Sequence, residues 1–162
     1  MGLFSKLRRK EELKPGTIYA PVTGTAIPLE EVPDETFSQG ILGPGCGIEP
    51  EKGAVYAPFH GKITQVADTR HAVGVASPDG MEVLIHVGID TVEMNGKGFS
   101  AMVSAGKSVE KGELLLEFSL EEIRAAGHPA TVVVLLTNAD EVGTPELIAQ
   151  GSVSGGTPLL KV

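Results

Sequence analysis

Apolar and polar residues alternate in short runs along this chain, and glycine or proline interrupts the pattern every few positions. A period of two punctuated by turn residues predicts many short antiparallel strands rather than long helices. Val132 to Leu136 is an unbroken apolar run whose length suits a buried strand. Two stretches read as short helices. Ser119-Leu-Glu-Glu122 forms a capping box, with Gly127 as the stop. Thr144-Pro145-Glu146 offers an N-cap followed by proline at the first helical position, and that helix is expected to end near Gly151.

The pattern also repeats. Gly16-Thr-Ile-Tyr-Ala-Pro-Val-Thr-Gly24 recurs as Gly53-Ala-Val-Tyr-Ala-Pro-Phe-His-Gly61, a shift of 37 residues. Ser108-Val-Glu-Lys-Gly-Glu-Leu-Leu115 is echoed by Ser152-Val-Ser-Gly-Gly-Thr-Pro-Leu159, a shift of 44. Each unit is a β segment broken by glycine, so two similar motifs are predicted to pack face to face. The expected fold is all-β: an antiparallel β-sandwich or flattened barrel from two duplicated motifs, of the barrel-sandwich hybrid type, with a few short helices.

Composition supports that picture. The 162 residues suit one domain with a real core, and 41% are hydrophobic despite 21 glycines and 11 prolines. Residues 1–14 are set apart as a basic amphipathic tail and 15–162 as the domain. Leu3, Phe4 and Leu7 can share a helical face among Lys6, Arg8, Arg9 and Lys10, which suits either an anionic membrane surface or a solubilising, unstructured tail. A net charge of −8 argues against nucleic-acid binding, which needs cations to displace counterions. Cys46 is the single cysteine, so no disulfide forms within the chain; with no signal peptide either, a cytoplasmic location is expected.

Candidate chemistry concentrates in one hairpin: His71-Ala-Val-Gly-Val-Ala76, the turn Ser77-Pro-Asp-Gly80, then Met81-Glu-Val-Leu-Ile-His-Val87. With those four residues as the loop, Ala76 pairs with Met81, Val73 with Leu84, and His71 with His86. The opposite face, Ala72 with Ile85, Gly74 with Val83 and Ala76 with Met81, is then apolar and faces the core. A bulge at Gly80 would slip this register by one residue; the unslipped register separates the faces more cleanly. Two adjacent imidazoles can act as nucleophile and hydrogen-bond donor to an anion. They can equally share a metal ion, or be incidental polar residues on an exposed strand.

The surrounding residues point further. Asp68-Thr-Arg-His-Ala72 and His86-Val-Gly-Ile-Asp90-Thr-Val-Glu-Met-Asn-Gly-Lys-Gly-Phe99 closely resemble the glucose-type IIA domain of the phosphoenolpyruvate-dependent sugar phosphotransferase system. The opening Met1-Gly-Leu-Phe4, Glu31-Val-Pro-Asp34 with Phe37, and Thr137-Asn138 extend the resemblance over nearly the whole chain. It implies a phosphohistidine carrier, a transferase component with His86 accepting the phosphoryl group on Nε2 and His71 hydrogen-bonding its oxygens. Thr69 would orient His71, the Gly88 carbonyl would take the Nδ1–H of His86, and Asp90 would help at the rim or order its loop. Phe37, Ile41, Leu42, Leu84 and Val92 match the apolar rim on which partners dock, although Ile41 and Leu42 suit ordinary core equally well.

The implied donor is the phosphohistidine carrier HPr, and the implied acceptor a cysteine on a IIB domain of a sugar permease. No cofactor is required, but Zn2+ can bridge His71, His86 and a partner carboxylate. The resemblance also implies regulatory docking of the unphosphorylated form on transporters or metabolic enzymes; with the basic tail, the expected location is the cytoplasm or the inner face of the membrane. Ala67 departs from relatives that carry a bulky aromatic residue there, which leaves partner preference open.

His60 and His128 read as bystanders and Cys46 as a small buried filler. Asn95-Gly-Lys-Gly98 only superficially resembles a phosphate-cradling loop, lacking the strand-to-helix context. Two alternatives compete with the carrier. His86-Val-Gly-Ile-Asp90 resembles a ligand motif of lysostaphin-type zinc metallopeptidases, but the His-x-His those enzymes need is absent. Val-x-x-Gly-x-x-Leu at Val109 and Val153 suggests a lipoyl- or biotinyl-like carrier module, but its hairpin tip, Ser77 to Gly80, holds no lysine.

Overall fold

In the computed structural model the described residues are 13–162, so the basic amphipathic tail falls, up to residue 12, outside them. Fourteen strands follow in order. The first seven are β1 (Thr17–Tyr19), β2 (Gly24–Pro28), β3 (Gly45–Pro50), β4 (Ala54–Tyr56), β5 (Gly61–Val66), β6 (Ala72–Ala76) and β7 (Glu82–Val87). The rest are β8 (Phe99–Ala101), β9 (Ser108–Val109), β10 (Leu114–Phe118), β11 (Val132–Leu136), β12 (Glu146–Leu147), β13 (Gly151–Val153) and β14 (Pro158–Lys161). Three short helices, α1 (Glu35–Ser38), α2 (Leu120–Ala125) and α3 (Ala139–Val142), and two 3-10 turns, Leu29–Glu31 and Thr91–Met94, complete the described residues.

All pairings are antiparallel. An eight-stranded sheet runs β13-β2-β3-β11-β7-β6-β5-β9, and two three-stranded sheets run β1-β14-β12 and β4-β10-β8. The expected all-β sandwich is what forms, and its two repeats are related hydrogen bond by hydrogen bond. Tyr19 N–H donates to the Pro58 carbonyl (3.0 Å), and Tyr56 N–H returns the bond to Pro21 (2.8 Å). The pairs Gly24–Val153 and Thr25–Ser152 recur as Gly61–Val109 and Lys62–Ser108, at the same two shifts seen in the sequence. Thr17–Lys161 likewise recurs as Ala54–Glu117.

The run Val132–Leu136 is buried throughout because both of its faces are covered. Val132, Val134 and Leu136 enter the main core with Ile48, Ile85, Leu115 and Leu116. Val133 and Leu135 belong to a smaller cluster with Leu29, Val32, Phe37 and Ile89, against which Leu84 packs. This second cluster exists because the 3-10 turn at Leu29 and helix α1 fold over the outer face of the sheet. Asp34 caps that helix, its Oδ1 accepting from Phe37 N–H at 3.2 Å.

Helix α2 forms as expected, with the Ser119 hydroxyl accepting from Glu122 N–H at 3.1 Å. The helix expected after Thr144 does not. Glu146 and Leu147 pair instead with Lys161 and Leu160, and Ile148 N–H donates to the Leu159 carbonyl at 2.9 Å. Covering the edge of β14 outweighs a weak local helical preference, and the helical turn falls earlier, at α3. Neither α1 nor α3 was expected.

The hairpin register is also corrected. Ala72 pairs with His86, Val73 with Ile85, Gly74 with Leu84, Val75 with Val83 and Ala76 with Glu82, one residue from the expected pairing. Ser77 N–H donates to the Met81 carbonyl (2.8 Å) and Met81 N–H to Ser77 Oγ (3.0 Å), leaving a three-residue loop, Pro78 to Gly80. Gly80, at φ 97°, supplies the left-handed position such a loop needs. The core face of β6 is therefore Val73 and Val75, not Ala72, Gly74 and Ala76. Strand β7 keeps its expected faces, with Val83 and Ile85 in the core and His86 outside it.

Asn138 fastens this hairpin to the end of β11. Its side chain donates to the Gly80 carbonyl (2.8 Å) and accepts from Glu82 N–H (3.0 Å). Among the described residues no helix is long and apolar enough to cross a membrane.

Candidate functional site

His86 sits in mid-sheet between Ala72 on β6 and Val133 on β11. The small Ala72 side chain leaves room on one side, and the second apolar cluster forms the floor. Phe37 tilts against the imidazole, with ring centroids 4.9 Å apart at 58°. The His71 ring meets His86 edge to face, with centroids 4.8 Å apart and planes at 84°.

The two imidazoles meet although their backbones are not paired. His71 lies one residue before β6, and its carbonyl accepts from Val87 N–H at 2.7 Å. Strict alternation would send its side chain to the face opposite His86. Alternation stops here, because the strand begins only at Ala72 and Arg70 takes a left-handed conformation, φ 59°. That turn brings Thr69 back over residue 71, and a 2.6 Å hydrogen bond joins the Thr69 hydroxyl to His71 Nδ1.

The ring of His86 is held from the other side. Its Nδ1–H donates to the Gly88 carbonyl at 2.9 Å, which settles the tautomer and leaves Nε2 with a free lone pair. Gly88 is at φ 78°, and a Cβ there would stand 2.4 Å from Thr91 Cγ2, so only glycine can present its carbonyl this way.

Burial pushes the His86 pKa down to about 4, and the neighbouring charge of protonated His71 adds to the fall; the Gly88 carbonyl, Asp34 and Asp90 oppose it. Burial lowers the pKa of His71 as well. Both rings are therefore neutral at neutral pH, and a neutral imidazole with a free Nε2 is a nucleophile. Burial pushes the Cys46 thiol up to about 12, which leaves it protonated and unreactive.

The structure thus brings His71, His86, Thr69, Gly88 and Phe37 into one site, with Asp90 close enough to act on the charge of His86. Leu84 lies two residues before His86 on the same face, half-buried. Ile41 (67% exposed) and Leu42 (45%) follow α1, and Val92 (52%) lies on the 3-10 turn after Asp90. Their exposure decides against core for Ile41 and Leu42. His60 Nδ1 accepts from Lys111 N–H at 3.0 Å, where the first repeat uses the Thr23 hydroxyl to accept from Gly155 N–H at 2.9 Å. His60 is a structural acceptor rather than a bystander. Asp34 was missed as a site residue, although an aspartate before Glu-Thr-Phe is a legible N-cap signal.

The site is a sheet-borne pair of neutral histidines, both anchored through Nδ1, an arrangement able to take up and release a group at Nε2. The chain belongs to the phosphoenolpyruvate-dependent sugar phosphotransferase system EIIA 1 family, whose profile matches residues 16–142. It is 42% identical over 139 residues to the PTS system glucose-specific EIIA component of Halalkalibacterium halodurans, covering 86% of this chain and 80% of that one. The corresponding component of Staphylococcus aureus is 36% identical over 156 residues, covering 95% and 94%.

A solved structure, glucose permease IIA from Mycoplasma capricolum, superposes with a TM-score of 0.80 at 32% identity over 89% of this chain and 93% of that one. The beta-glucoside-specific EIIBCA component of H. halodurans is 43% identical over 145 residues, and there the matched part spans only 23% of the relative. Family membership makes the chain a phosphocarrier component of the phosphotransferase system; the metallopeptidase and lipoyl-type readings find no support.

Proposed function

We propose that His86 Nε2 accepts a phosphoryl group from the phosphohistidine of HPr and passes it to a cysteine of a IIB domain. The observation that supports this reading is the anchoring of both neighbouring rings through Nδ1, at 2.9 Å and 2.6 Å, which leaves both Nε2 atoms available to a ligand. The His86 lone pair attacks phosphorus in line as the donor N–P bond breaks, and the donor imidazole departs with the electron pair. In the second step a IIB thiolate attacks, and the electrons of the N–P bond return to Nε2. With the Thr69 hydroxyl donating to Nδ1, His71 keeps its own hydrogen on Nε2 and donates it to a phosphoryl oxygen. No acid or base is needed at phosphorus, so positioning and charge stabilisation dominate.

Ile41, Leu42, Val92, Leu84 and Phe37 form the apolar rim for both partners, while Asp34 and Asp90 raise the basicity of His86. Zn2+ would be held by His86 Nε2 and by His71 Nε2 only in the other His71 tautomer, with its Nδ1–H donating to the Thr69 hydroxyl, and a partner would complete the tetrahedral set. Among the described residues no group of three or more metal-ligating side chains occurs, so this chain alone would hold zinc weakly. The working location is the cytoplasm or the inner membrane face, and the transported sugar is of the glucose or beta-glucoside class. Regulatory docking of the unphosphorylated form is part of the same proposal. Equal capture of transporters or metabolic enzymes by His86→Asp and the unmodified protein would count against it.

The direct test is incubation with phosphoenolpyruvate, enzyme I and HPr, with the label mapped under alkaline conditions that preserve phosphohistidine. One label is expected, on His86, and none after His86→Ala. A label elsewhere, or none, refutes the assignment.

A further inference from the structure

The loop Asn95-Gly-Lys-Gly98 has the look of a phosphate cradle, yet its carbonyls are occupied by a cation. Arg70 reaches across from the β5–β6 turn, its Nε donating to the Phe99 carbonyl at 3.2 Å and its Nη2 to the Gly96 carbonyl at 3.3 Å. Carbonyl oxygens, not amide hydrogens, face the occupant. Gly96 is at φ 87°, and a Cβ there would lie 2.5 Å from Arg70 Nη2, so the glycine makes way for the guanidinium.

Arg70 also sits where an L-residue is costly. Its φ of 59° is left-handed, a conformation that disfavours any side chain beyond glycine, asparagine and aspartate. Arg70 N–H closes the turn onto the Ala67 carbonyl at 2.8 Å, and the next residue is His71. The loop that Arg70 grips continues from Gly88, Asp90 and the 3-10 turn Thr91–Met94, which carry the anchor of His86. One side chain therefore ties the segment presenting His71 to the segment holding His86.

We propose that Arg70 is a positioning residue for phosphoryl transfer: its two hydrogen bonds to the Asn95–Phe99 loop hold the left-handed turn that sets the His71 ring against His86. This rests on the phosphocarrier reading. Its geometric half can be measured without any transfer.

The test compares Arg70→Ala, His71→Gln and the double variant. Because Arg70 acts through His71, Arg70→Ala should slow transfer from phosphorylated His86 to the IIB domain by about tenfold while His86 still accepts label. In the His71→Gln background the same change should add nothing, since two residues acting on one contact are not additive. A merely structural role would slow both backgrounds equally and would overturn the proposal, as would unchanged transfer by Arg70→Ala.

Imidazole 15N spectra give the independent readout: the His71 signals should move in Arg70→Ala, and unmoved signals refute the positioning role even if the unmodified protein accepts no phosphoryl. If Arg70→Ala fails to fold, Arg70→Asn keeps the left-handed turn without the clamp and should show the same His71 shifts at smaller amplitude. Arg70→Lys keeps the charge but lacks the planar fork that meets both carbonyls, and should transfer as slowly as Arg70→Ala.

Discussion

A histidine held neutral by its surroundings makes stability depend on pH in a way that one substitution can isolate. In the unfolded chain His86 takes up its proton near 6.5; in the folded protein it does so near 4. Between those values the unfolded state binds more protons, so stability contributed by the neutral ring is fully present above pH 6.5 and is lost as pH falls toward 4. The difference amounts to about 3 kcal/mol at the low end.

The assay is urea denaturation at several pH values for the unmodified protein and His86→Gln. The variant keeps His71 and every carboxylate, so their contributions largely cancel in the difference. Relative to its variant, the unmodified protein should lose about 3 kcal/mol between pH 6.5 and 4. Proton NMR should show the His86 ring titrating near the lower value, and His71→Gln should raise that titration point by removing a neighbouring positive charge. Parallel stability curves, or a His86 titration near 6.5, would refute the account of a desolvated, neutral nucleophile.

Other consequences can be checked separately. Thr69→Val removes the 2.6 Å bond to His71 and should slow onward transfer about fivefold, with little change in the urea midpoint. Ile41→Asp and Val92→Asp alter exposed side chains, so stability should hold to within about 0.5 kcal/mol while the KM for phosphorylated HPr rises. Leu116→Ala, in the main core and away from the histidines, should cost about 3 kcal/mol and lower the melting temperature by roughly 6–12 °C, with His86 still labelled in the cold. Ser119→Ala should cost about 1 kcal/mol through loss of the α2 cap, read by thermal denaturation.

The sequence by itself determined the strand-rich class, the duplication and the family. Alternation, glycine spacing and the two repeat shifts are local properties, and each repeat makes the same hydrogen bonds wherever it recurs. The identity of the paired histidines was equally legible, because their hairpin and flanking motifs lie close together in the chain. Tertiary structure alone decided how the rings meet. The one-residue register shift came from a loop closed at Ser77 and Met81, and its alternation would have parted the histidines. A left-handed turn at Arg70 restores their contact, and nothing in an arginine announces that conformation.

Tertiary structure likewise turned the segment after Thr144 into an edge strand, because the open hydrogen-bonding groups of β14 outweigh local helical preference. The floor beneath His86, where Phe37 and Leu29 meet Val133 and Leu135, joins residues about a hundred positions apart. Such long-range contacts leave no local period to read, and they are what desolvate the ring and keep it neutral.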